Sequence, residues 1–165
     1  MNVQDLINEG IELFENKEFD EAIAKLNQAL DGIEDKNSQI QEQRIQFWLG
    51  RCYFGQAKKA KGEDSKHFFG LAVGHFQQRL RLVKQRRSKN SIQIQCSTES
   101  WLGGCYFEQA VKAEDKVAAT LFEQAVGHFQ EWLYLAEQLD NKNSIRQARH
   151  LLGRCYLEQA IKAKD

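Results

Sequence analysis

At 165 residues the chain is long enough for one domain with a sizeable core, or for a short array of stacked repeats. Its 23 Lys plus Arg balance 23 Asp plus Glu, so no global charge draws it to nucleic acid or to an anionic membrane, and only local patches can do so. The absence of proline excludes Pro-rich linkers and suits long unbroken helices, and no apolar run approaches the roughly 20 residues of a membrane span.

In chain order, the N-terminus Met1-Asn-Val-Gln-Asp-Leu6 has neither the basic nor the apolar region of a secretory signal, so a cytoplasmic location is the default expectation. Apolar periodicity then predicts helices over 3–16, 19–34, 38–61, 65–87, 91–113, 116–139 and 144–163. Within them a phrase recurs. Trp48-Leu-Gly-Arg-Cys-Tyr-Phe-Gly-Gln-Ala57 returns as Trp101-Leu-Gly-Gly-Cys-Tyr-Phe-Glu-Gln-Ala110 and as Leu151-Leu-Gly-Arg-Cys-Tyr-Leu-Glu-Gln-Ala160. A Lys-Asn-Ser marker starts at 36, 89 and 142, every 53 residues. Self-similarity at a fixed period signals a repeat array. The units are 1–35, 36–88 and 89–141, followed by a half-unit at 142–165 that is either a capping helix or the start of a cut array.

Residues 58–66 and 111–119 are rich in Ala, Lys and Glu, so they extend helices rather than loop out. The hairpin turns are expected near Gly62-Glu-Asp64 and Glu114-Asp115. The first helix of units two and three then runs about 22 residues, or about 33 Å. The Asn-Ser of each marker is expected to cap the helix that follows it.

The spacing of Gly10, Leu13, Phe19, Ala22, Leu26 and Ala29 resembles the tetratricopeptide repeat, a helix–turn–helix unit. Gly50, Tyr53, Phe69, Ala72, Phe76 and Leu80 repeat it, as do Gly103, Tyr106, Phe122, Ala125, Phe129 and Leu133, each with ten residues added at the hairpin tip. The resemblance implies an all-α fold: a right-handed α-solenoid of antiparallel helical hairpins, one domain over 1–165 with about 3.5 repeats. It also implies a concave wall, built from the first helix of each hairpin, on which partners bind. Helical geometry puts Arg44, Phe47, Arg51, Phe54 and Lys58 on one face. Ile7, Ile11 and Phe14 match them in the first unit, Ser97, Ser100, Gly104 and Phe107 in the third, and Gln147, His150, Arg154 and Leu157 in the last. The candidate groove is therefore Arg44, Phe47, Arg51, Phe54, Ser100, Phe107, His150 and Arg154. Aromatic rings interleaved with guanidinium groups are typical of binding hot spots. The alternative is that Phe47 and Phe54 pack on the neighbouring helix. Where family members clamp a peptide carboxylate with asparagine, this chain has Ile11, Arg51, Gly104 and Arg154. An acidic or amphipathic segment held by Arg44, Arg51 and Arg154 fits better.

No P-loop, GxGxxG, HExxH or GxSxG motif is present, so the chain reads as a non-enzyme without cofactor or metal. His75 and His128 lie in the repeated phrase Ala-Val-Gly-His-Phe-Gln and read as structural positions. Cys52, Cys105 and Cys155 are equivalent, Cys96 is not, and no metal-ligand spacing occurs, so all four read as free buried thiols. A second patch, Arg79, Arg81, Lys84, Arg86, Arg87 and Lys89, is either a solvated helix end or a contact for nucleic acid or an acidic partner. Trp132 and Tyr134 stand in its place in the next repeat, where they suggest a homo-oligomer contact. The leading reading is a protein-interaction scaffold, with nucleic-acid binding and self-association as alternatives.

Overall fold

The computed structural model describes residues 2–33, 38–84 and 88–163. Among these residues it contains seven α-helices and no strand: α1 (Val3–Glu15), α2 (Phe19–Asp31), α3 (Gln39–Lys59), α4 (Gly62–Lys84), α5 (Lys89–Lys112), α6 (Asp115–Gln138) and α7 (Lys142–Lys162). None of them is long and apolar enough to cross a membrane. The chain divides into two compact units, Met1–Leu82 and Val83–Asp165.

Unit 1 packs α1 on α2 and α2 on α3. Its core holds Leu6, Ile7, Ala22, Leu26, Ala29, Ile45, Leu49 and Cys52. Small residues on one helix receive large ones from the next. A Cβ on Gly10 would meet Leu26 at 2.8 Å, and a Cβ on Gly50 would meet the Phe76 ring at 2.7 Å. Glycine lowers helix propensity, so its presence in mid-helix is explained by these close approaches. Gly55 serves the same purpose for the ring of Phe19. In unit 2, α6 packs on both α5 and α7 around Phe107, Phe122, Phe129, Trp132 and Leu135. The Phe129 ring fills the space that a Cβ on Gly103 would take.

All but two residues of each hairpin tip are helical. α3 and α5 run 21 and 24 residues, and their antiparallel partners α4 and α6 run 23 and 24. The first turn falls earlier than expected, at Ala60–Lys61, and α4 begins at Gly62 rather than 65. Gly62 takes φ +57°, a left-handed step that glycine makes without strain. Ser65 Oγ then donates to the Ala57 carbonyl at 2.7 Å and ties the two helices together.

The caps also differ from expectation. The marker serines Ser91 and Ser144 lie inside the first turn, and the caps are the residues three positions earlier. Ser88 and Ser91 form a reciprocal capping box on α5, and Asn141 accepts from the Ser144 N–H on α7. The physical reason is that an N-cap oxygen reaches the third helical N–H, so the marker is read by its cap rather than acting as one. Only Ser38 caps its own helix by position, and its side chain makes no cap bond. Asn141 has a second role. Asp140 takes a left-handed φ of 49°, and the Asn141 N–H closes α6 on the Ala136 carbonyl at 3.0 Å.

Candidate interaction surface

The first helix of each long hairpin carries the candidate residues, and each unit places them differently. In unit 1 they converge. The Arg51 guanidinium carbon lies 4.5 Å from the ring centroids of both Phe14 and Trp48, and 5.5 Å from that of Phe47. Phe14 and Trp48 meet edge-on at 5.2 Å, and so do Phe47 and Trp48 at 5.6 Å. Arg79 reaches across from α4 and lies over the Phe47 ring at 4.1 Å. Two cations and three half-buried rings from α1, α3 and α4 thus form one surface cluster. Cations over ring faces are favourable, more so as water is excluded. Burial holds both guanidinium groups below their ordinary range, with Arg79 lowered to about 10, which leaves Arg79 charged at neutral pH.

Arg44 is exposed. Phe54 lies one turn further on, half-buried, edge-on to Phe69 at 5.8 Å and capped by Lys58 Nζ at 5.8 Å. In unit 2 the equivalent face is quieter. Ser100 is half-buried and donates to the Ser97 carbonyl at 2.7 Å. Phe107 is a core ring, 4 % exposed, packed edge-on to Phe122 at 6.0 Å and covered by Arg154 at 4.8 Å. His150 is exposed at the rim of a cleft of about 450 Å³ that Trp132, Arg146, Gln147 and Leu151 complete.

The basic patch is not one feature. Arg79 belongs to the aromatic cluster, and Arg81 is exposed. Lys84 and Lys89 line a separate cleft of about 650 Å³ with Glu131 and Tyr134. Arg86 and Arg87 lie outside the described residues. The proposed pair Trp132 and Tyr134 also divides. Tyr134 is 58 % exposed, but Trp132 is buried at 6 %, 6.1 Å from Phe129. Sequence reasoning missed both inward turns for one reason. Arg79 and Trp132 are equivalent positions, each three residues after the repeated phenylalanine, and a planar guanidinium occupies the place of a planar indole. The helical spacing from Phe76 and Phe129 carried that signal.

The repeated histidines have matching environments. His75 Nδ1–H donates to Gln46 Oε1 at 2.7 Å, and the ring stacks on Tyr53 at 5.3 Å. His128 Nδ1–H donates to Glu99 Oε2 at 2.6 Å and stacks on Tyr106 at 5.3 Å. Burial lowers the His75 pKa and raises those of Tyr53 and Tyr106. All four cysteines are buried free thiols, and burial pushes Cys52 up to about 12 and Cys155 up to about 11. No group of three or more metal-ligating side chains occurs among the described residues. No family model matches the sequence, and no curated protein matches it.

Proposed function

We propose that the chain is a protein-interaction module whose hairpins stack as a right-handed solenoid of tetratricopeptide type. The cluster of Phe14, Phe47, Trp48, Arg51 and Arg79 takes an acidic, amphipathic protein segment. The observation that supports this most is the placement of the Arg51 guanidinium among three aromatic rings. Side-chain order is already fixed before a ligand arrives, so less entropy is lost on binding. Carboxylates of the segment pair with the guanidinium groups, and its apolar side chains cover the ring edges.

The test is a pull-down from cells with the whole chain, repeated with Arg51→Glu, followed by titration of the captured segment. Reversing Arg51 is expected to weaken binding by about 2 kcal/mol or more. Arg81→Glu with Lys84→Glu is expected to change it little. If the double change abolishes binding and Arg51→Glu does not, the site lies at the basic helix end. Salt-dependent retention on RNA or heparin would then favour the electrostatic reading.

A further inference from the structure

Helix α7 carries a run of charge that its counterparts lack. Lys142, Arg146, His150 and Arg154 follow one another at intervals of four and so form one basic stripe, and no Asp or Glu occurs from 142 to 157. Like charges at this spacing repel, and a lysine in the first turn opposes the helix dipole. In α5 the places of Arg146, His150 and Arg154 hold Cys96, Ser100 and Gly104, so the α5 helix avoids this cost. The stripe is not neutralised from within. Arg154 lies over the Phe107 ring, and Arg146 donates to the uncharged Asn143 Oδ1 at 2.8 Å. The Glu137 carboxylate pairs with Arg149, which stands off the stripe, and among the described residues no ion pair reaches the stripe itself.

The middle of the stripe lines a cleft. Arg146, Gln147, His150 and Leu151 form it with Trp132 of α6, and it measures about 450 Å³. One turn further along the same side of α7, Arg154 reaches Phe107 of α5, so this side faces back onto the preceding hairpin. The volume falls within the range of small-ligand pockets, about 300–1,000 Å³. Trp132 and Leu151 give the cleft an apolar lining, and Arg146 and His150 give it donors. The guanidinium is a fork of N–H groups, and the imidazole keeps an N–H in either protonation state. Elsewhere the chain sets guanidinium groups over its own rings, Arg51 on Phe14, Arg79 on Phe47 and Arg154 on Phe107. Here a guanidinium and an indole share an open cleft.

We propose that this cleft binds a small planar anion, an aromatic ring bearing a carboxylate, with the ring against Trp132 and Leu151 and the carboxylate on Arg146 and His150. The ring gains an aromatic contact beyond the area it buries. The carboxylate takes paired hydrogen bonds from the Arg146 fork, and its charge relieves the repulsion along the stripe. The site lies within unit 2 and is separate from the cluster around Arg51.

The probes are 2-naphthoate and its neutral amide, titrated into the whole chain and followed by the tryptophan indole N–H signals in NMR, with that of Trp132 assigned by Trp132→Phe. Naphthoate is expected to shift the Trp132 signal and to bind about tenfold tighter than the amide. Arg146→Gln, at an exposed position and with its fold checked by circular dichroism, lowers the affinity for naphthoate to that for the amide. Arg51→Glu leaves both affinities unchanged, which separates this site from the cluster in unit 1. Equal affinity of the two probes, an unmoved Trp132 signal, or full naphthoate affinity in Arg146→Gln overturns the proposal. So does tighter binding of oligoglutamate than of naphthoate without a shift of the Trp132 signal, which would assign the stripe to a polyanion.

Discussion

The α3–α4 hairpin of unit 1 and the α5–α6 hairpin of unit 2 build the same contact with one charge exchanged. In each, a glycine admits a phenylalanine ring, a tyrosine stacks on a histidine, and the histidine donates to a buried side-chain oxygen. In unit 1 that oxygen belongs to neutral Gln46, in unit 2 to Glu99. The comparison separates geometry from charge. The hydrogen bond is kept because a buried N–H without an acceptor is costly, whereas the carboxylate is interchangeable with an amide of the same shape. The surfaces diverge correspondingly. Phe47 and Arg79 in unit 1 are replaced by Ser100 and Trp132 in unit 2, which moves the planar group from a surface cluster into the core.

The largest effects should be those the two hairpins share. Phe76→Ala and Phe129→Ala each remove a fully buried ring and should cost about 3–5 kcal/mol in denaturant unfolding. Gly50→Ala drives a Cβ into the Phe76 ring and should cost about 1–3 kcal/mol, although alanine is the better helix former. A stabilising Gly50→Ala would refute the close-approach explanation. The equivalent thiols come next. Cys52 at about 12 holds roughly a thousandth of the thiolate of an ordinary cysteine, and Cys155 at about 11 roughly a hundredth. Among the three equivalent thiols, Cys155 should therefore react first with a thiol reagent at pH 8 in the folded protein, and the three should react at similar rates in denaturant.

The exchanged charge makes a sharper test. Glu99→Ala leaves the His128 N–H without its acceptor and should cost about 1–3 kcal/mol. Burial makes His75 a group that favours the folded state at neutral pH over acid pH. Its folded pKa lies below the ordinary value of about 6.5, so the folded state binds fewer protons than the unfolded one. Its contribution is complete above about pH 6.5 and is lost as pH falls toward the folded pKa, at no more than about 1.4 kcal/mol per pH unit. Gln46→Glu gives His75 an anionic acceptor and should raise its pKa, which an NMR titration of the ring would show. The acid loss should shrink accordingly.

The helices were legible in the sequence because glycine, alanine and phenylalanine recur at helical spacing, and the Ala/Lys/Glu-rich tips could hardly be loops. The orientation of amphipathic side chains was not. Arg79, Trp132 and Phe107 each have a polar or planar character that suits surface and core alike, so only the packing of the neighbouring helix decides. The cluster around Arg51 was half visible, since Phe47 and Arg51 share a face of α3. Phe14 and Arg79 arrive from other helices, and no local pattern pairs them.

The smallest predicted difference concerns the helix starts. Ser88 and Ser38 both precede a long first helix, but only Ser88 makes the reciprocal bonds of a capping box, with the Ser91 N–H donating to its Oγ at 3.1 Å and its own N–H donating to Ser91 Oγ at 2.8 Å. Removing such a cap costs about 1 kcal/mol, because an N–H at the end of the helix loses its acceptor. Ser38 has no side-chain cap bond to lose. Ser88→Ala should therefore lower stability by about 1 kcal/mol, and Ser38→Ala by no more than a few tenths, about the size of an ordinary surface substitution. Hydrogen exchange of the first-turn amides offers the local reading: those of α5 should lose protection in Ser88→Ala, while those of α3 should be unchanged in Ser38→Ala. Equal losses in both variants would mean that the hydroxyl of Ser38 also satisfies its helix, and the two hairpins would then start alike.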